Sequence, residues 1–121
     1  MLEILEQSKD ANIAIKLSGL ITEDDYRKVL PALENRIKGL LQFRLLFDWE
    51  DLEGWEEEAN ATKFGIHFIH RWRCERFAII TDDPARAEDI QNLRGILPKN
   101  AELQVFPPSE RSEAWSWLIG E

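Results

Sequence analysis

Three times along this chain a short strand-like run stops at an acidic residue or a proline pair and gives way to a stretch with helical spacing. LLQFRLLF (40–47) leads into DWEDLEG and a helical stretch, RFAIIT (76–81) into DDP and a second, ELQVF (102–106) into PPSER and a third. Each run has the length of a strand, and strands separated by helices are joined by crossovers. That arrangement makes neighbouring strands parallel and lays helices over the sheet.

The first third of the chain adds a different element. Residues 2–8 (LEILEQS) and 11–18 (ANIAIKLS) alternate apolar and polar around Lys9-Asp10, which reads as an antiparallel hairpin. After Gly19-Leu20, Thr22 stands as an N-cap with Asp25 in the capping-box position, and Glu23 to Asp25 favour a helix start. Tyr26, Val29, Leu30, Leu33, Ile37 and Leu40 follow at helical spacing, and Pro31 inside the pattern predicts a kinked or split helix. Further on, Asp83 caps a helix with Pro84 in its first position and Gly95 at its end. The expected order is ββαβαβαβα: a single α/β domain over residues 1–121, with a mixed, mostly parallel sheet covered by helices.

A chain of 121 residues is long enough to bury a core without staples. The single cysteine, Cys74, excludes an internal disulfide framework and fits a reducing compartment. The opening MLEILEQSKD is acidic where a signal peptide needs positive charge, and no run approaches the roughly 20 apolar residues of a membrane span. These features predict a cytoplasmic protein, at most peripheral to the inner face of a membrane. A net charge of −8 repels a phosphate backbone and argues against nucleic acid as a partner.

Several stretches resemble the SpoIIAA-like family of the STAS (sulfate transporter and anti-sigma-factor antagonist) group: LLFDWEDLEGW, the KFG of residues 63–65, ERFAII at 75–80 and the terminal EAWSWL. VLPALE at 29–34 is similar to the family's first helix, proline included. The resemblance implies a STAS-type fold and a non-enzymatic binding role, towards a hydrophobic ligand, a membrane surface or a protein. Better-known relatives are phosphorylated on a serine at the start of the helix after the third strand. Here that stretch is DWEDLEGWEEEANATKFG, which has no serine, with Thr62 its nearest hydroxyl. Kinase-controlled partner switching thus lacks its usual acceptor.

FDWEDLEGWEEE (47–58) packs seven carboxylates and two tryptophans into twelve positions. Asp48, Asp82 and Asp83 all fall at carboxyl ends of predicted strands, where open α/β sheets bind ligands, and three oxygen donors suit Mg²⁺. Yet a phospho-receiver built this way also wants a lysine after the last strand, where the chain offers PPSER. The preferred reading is structural: Glu56 to Glu58 at a helix start and Asp83 as a cap, with no catalytic residue and no resident metal or cofactor. Trp55, after the turn at Gly54, packs locally or lids a pocket.

In ATKFGIHFIHRWR (61–73), Ala61, Phe64, Gly65, Phe68 and Trp72 form one stripe, and Ile66 and Ile69 widen the apolar arc past the roughly 100° of a surface helix. Either a neighbouring helix or second subunit covers the excess, or the helix lines a hydrophobic pocket or docks on a membrane. The candidate ligand-binding set is therefore Trp55, Gly65, Ile66, Phe68, Ile69 and Trp72, with Arg71, Arg73 and Arg76 for lipid headgroups. His67, His70 and Cys74 share a face but supply only three zinc ligands beside Lys63. Nearby arginines would lower the pKa of Cys74, although no histidine–acid relay can be assigned to it. The leading expectation is a binding module for a lipid or other hydrophobic ligand. The rival is a protein–protein module, of anti-sigma-factor-antagonist type or a homodimer.

Overall fold

The computed structural model describes residues 1–56, 74–97 and 99–120. Strand β1 (Leu2–Ile4) pairs antiparallel with β2 (Asn12–Leu17), placing Leu2 opposite Leu17 and Ile4 opposite Ile15. At the hairpin tip the backbones of Lys9 and Asn12 bond each other at 2.8 and 2.9 Å, and Asp10 takes the left-handed φ of 54° that closes the turn. The sheet continues in parallel through β4 (Phe43–Asp48), β6 (Cys74–Ile80) and β7 (Glu102–Phe106), in the order β1-β2-β4-β6-β7.

Helix α1 (Glu23–Ile37) begins with the expected capping box: Thr22 Oγ1 accepts from the Asp25 backbone N–H at 3.2 Å, and the Asp25 carboxylate accepts from the Thr22 N–H at 2.8 Å. The helix is not split at Pro31 but runs through it. Its buried stripe of Tyr26, Val29, Leu33 and Ile37 holds it to the sheet on both sides of the missing N–H. Asp83 caps a short 3₁₀ turn (Pro84–Arg86), accepting from the Ala85 N–H at 2.9 Å, and α2 (Ala87–Ile96) follows. Gly95 lies within the last turn of α2, which ends one residue later than expected. After Pro107 a second 3₁₀ turn leads into α3 (Arg111–Ile119).

Strand parity divides the core. Ile13, Ile15, Leu17, Leu45, Phe47, Phe77 and Ile79 face α1 and α2, forming the larger cluster. Ala14, Leu46, Ala78 and Ile80 face the other way and pack against Ala114 and Leu118 of α3. The two alanines leave room for α3 to lie close. Among the described residues β7 is an edge strand, and Arg94 Nη1 donates to its outward Leu103 carbonyl at 3.4 Å, which blunts that edge.

Two strands have no counterpart in the expected order. β3 (Gly19–Ile21) and β5 (Leu52–Trp55) form a separate two-stranded parallel sheet at the carboxyl end of the main one. Gly19 N–H donates to the Asp51 carbonyl at 3.0 Å and Glu56 N–H to the Ile21 carbonyl at 2.8 Å. Gly19 has φ 68°, which a side chain would strain. Among the described residues no helix is long and apolar enough to cross a membrane. The helical stretch expected over roughly 56–72 lies almost wholly outside them.

Candidate functional site

The acidic run resolves into separate contacts. Asp48 ends β4, its side chain only 7% exposed, and Arg111 Nη2 reaches both its oxygens, at 3.0 and 3.1 Å. The same nitrogen lies 2.6 Å from Glu50 Oε2, and the Glu50 backbone N–H donates to Asp48 Oδ1 at 3.1 Å. Asp51 pairs with Lys16 at 3.0 Å. The basic residue after the last strand is thus present, as the arginine of PPSER, and it neutralises Asp48. Asp83 is occupied as a cap, and Asp82 is exposed. Among the described residues no group of three or more His, Cys, Asp or Glu side chains is placed to hold a metal ion.

Beside this pair stands an aromatic stack. Phe47 packs edge-on to Phe77 at 4.7 Å, Trp49 stacks on Phe47 at 6.2 Å, and Trp55 meets Trp49 edge to face at 5.7 Å and 79°. Trp49 is 1% exposed, and among the described residues its Nε1–H has no hydrogen-bond partner. Trp55, half-buried, donates from Nε1 to Asp89 Oδ2 at 3.1 Å, and Arg86 Nη1 donates to the same oxygen at 3.3 Å. Burial, then the nearby Asp25 and Asp89 carboxylates, push the Tyr26 phenol well above its ordinary pKa. Trp55 is therefore a pinned wall at the carboxyl end of the sheet.

Of the remaining candidates, Gly65, Ile66, Phe68, Ile69, Trp72, Arg71 and Arg73 lie outside the described residues, as do His67 and His70. Arg76 is placed: its Nη1 donates to the Trp117 carbonyl at 2.7 Å, and its guanidinium lies 5.5 Å from the Trp117 ring centroid. Arg44 acts beside it, donating to the Leu118 carbonyl at 2.8 Å and pairing with Glu75 at 3.0 Å. Two cations thus meet the negative end of α3. Cys74 opens β6 and is 2% exposed. Burial pushes its thiol up to about 12, against the expectation that neighbouring arginines would lower it. Of those arginines Arg76 is spent on α3, and desolvation decides the shift.

A family model described as SpoIIAA-like matches residues 12–119. An uncharacterised protein with a SpoIIAA-like fold from Shewanella loihica PV-4 superposes with a TM-score of 0.74 at 24% identity, over 98% of this chain and 92% of that one. The anti-sigma factor antagonist SpoIIAA, in its unphosphorylated form, superposes with a TM-score of 0.56 at 10% identity, over 93% of this chain and 96% of that one. No curated protein matches the chain.

Proposed function

The chain belongs to the SpoIIAA-like family, and from that premise we propose that it is a non-enzymatic regulatory module that works by binding a protein partner. The observation that carries this reading is the fate of the charges in the carboxyl-end crevice. Asp48 is spent on Arg111, Asp83 on a cap, and Asp89 on Trp55 and Arg86. Cys74, with its thiol pushed up to about 12, is protonated at neutral pH. Among the described residues these side chains hold elements together, and none is set up as a general base or an activated nucleophile. The likeness to an anti-sigma factor antagonist, which is one of fold, supports the same class of function.

In-cell photo-crosslinking tests the proposal. A crosslinking side chain is installed in turn at exposed positions around the sheet ends, with Glu34 on α1 as the control. One protein adduct reproducibly enriched over the control, which then binds the purified chain at low micromolar Kd or better, is the expected result. Adducts no different from those at Glu34 refute it.

A second reading keeps the hydrophobic ligand or lipid, held by Trp55, Gly65, Ile66, Phe68, Ile69 and Trp72. What favours it is the half-buried Trp55, fixed over Trp49 as one aromatic wall. Native mass spectrometry of gently purified protein and flotation on anionic liposomes test it. A clean apo mass together with no flotation removes both the ligand and the peripheral membrane contact.

A further inference from the structure

The two-stranded sheet is the part of the molecule that its core explains least. A parallel pair of three and four residues gains little stability alone, and parallel strands are ordinarily covered on both faces. Here one side is covered: Ile21 is fully buried, Leu52 is 7% exposed, and Trp55 backs β5 against Trp49. The other is bare. Leu20 is 53% exposed, and among the described residues a Cβ built on Gly54 would meet only Leu20 Cδ1, at 3.9 Å. An apolar side chain over an open glycine makes a shallow shelf.

Among the described residues the charge around the shelf is one-sided. Glu53 is exposed beside it, its Oε2 3.6 Å from where a Gly19 Cβ would stand. Glu56 follows directly, and among the described residues neither glutamate makes an ion pair. Among the described residues Lys16 is taken by Asp51, and Arg111 by Asp48 and Glu50. In a chain of net charge −8 this end repels nucleic acid and anionic membranes and attracts a cationic surface.

We propose that the β3–β5 shelf is the docking surface for the partner, and that the partner presents an apolar contact ringed by lysine or arginine. The proposal rests on the protein-binding reading above and adds to it a place and a chemistry. Leu20 supplies the desolvated centre, while Glu53 and Glu56 steer the approach and form the rim.

Random peptides displayed on phage and selected against the purified full chain serve as the probe. The selected pool is expected to be net positive with a central apolar residue, and its amide shift changes to cluster at residues 19–22 and 52–56. Leu20→Ser is expected to weaken the best peptide tenfold or more. Glu53→Lys with Glu56→Lys is expected to slow association and flatten its salt dependence, and both variants to keep the wild-type circular dichroism because all three side chains face solvent. Peptides without basic bias, shifts elsewhere, or variants that bind like wild type overturn the shelf; tight binding elsewhere overturns it while leaving the protein-binding reading intact. Anionic vesicles that compete for Leu20 also overturn it. If no peptide binds and native mass spectrometry shows a small hydrophobic adduct, both fail.

Discussion

Replacing Arg111 by methionine keeps most of the aliphatic stem and removes the charge that answers Asp48. The Asp48 carboxylate is 7% exposed, whereas Arg111 is 41% exposed, so the pair is half-sheltered. Breaking a fully buried pair costs about 3–5 kcal/mol, an exposed one about 0–1. An expected loss of about 2 kcal/mol lies between them, or roughly 6–10 °C in Tm for a chain of this size. Urea unfolding followed by tryptophan fluorescence reads it directly. Glu50→Gln is the control, since Glu50 is 47% exposed, and is expected to cost about 0.5 kcal/mol or less. Asp48→Asn in the Arg111→Met background removes the orphaned charge yet keeps the acceptor for the Glu50 N–H, and is expected to recover about 1 kcal/mol. Two results refute the reasoning: Arg111→Met costing no more than Glu50→Gln, or Asp48→Asn giving no recovery.

Four further outcomes are expected. Cys74 stays unreactive to a thiol reagent at pH 8 in the native state and reacts with one equivalent in urea; because its folded pKa, about 12, exceeds the ordinary thiol value of 9.0, its contribution to stability holds below pH 9 and declines from pH 9 towards 12, a slope that Cys74→Ala lessens while the raised Tyr26 phenol keeps its own share. Thr22→Ala costs about 1 kcal/mol in thermal unfolding. Burial pushes Asp25 up, but the Thr22 N–H and hydroxyl and the chain's amino terminus outweigh it and hold the carboxyl below 3.8, so its stabilisation is present above that value, is lost as pH falls through the lowered pKa, and loses its Thr22 hydroxyl share in the variant. Pro31→Ala stabilises by about 1–2 kcal/mol, because it restores a helix N–H at an exposed position; no change in the urea midpoint refutes this. Gly19→Ala destabilises by about 1–2 kcal/mol, since alanine must adopt φ 68°, and an unchanged Tm shows that the turn relaxes freely.

Local signals were legible in the sequence and long-range ones were not. The apolar runs place β4, β6 and β7 to within a few residues, and Thr22 with Asp25 marks the start of α1. Both rest on groups a few positions apart, where spacing carries the physics. β3 and β5 were missed because three or four residues hold no periodicity, and because β5 carries a glutamate and a glycine that read as loop. The continuity of α1 through Pro31 depends on packing that overrides propensity. In the candidate site, Arg111 finds Asp48 across 63 residues, Arg44 finds Leu118 across 74 and Trp55 finds Asp89 across 34. No motif announces such pairs; parallel topology creates them by bringing strand ends together. PPSER did hold the signal, in an arginine placed where a cation was expected as lysine.

The placement of α3 also bears on how the protein is made. Ala14, Leu46, Ala78 and Ile80 find their cover in Ala114 and Leu118, which leave the ribosome long after the strands they shield. Until then, among the described residues, no helix covers that side of the forming sheet. Translation speed over the last stretch and the attention of chaperones thus become part of the yield of native molecules. A synonymous-codon change that stalls synthesis just before Pro107 is expected to raise the insoluble fraction without altering a single residue.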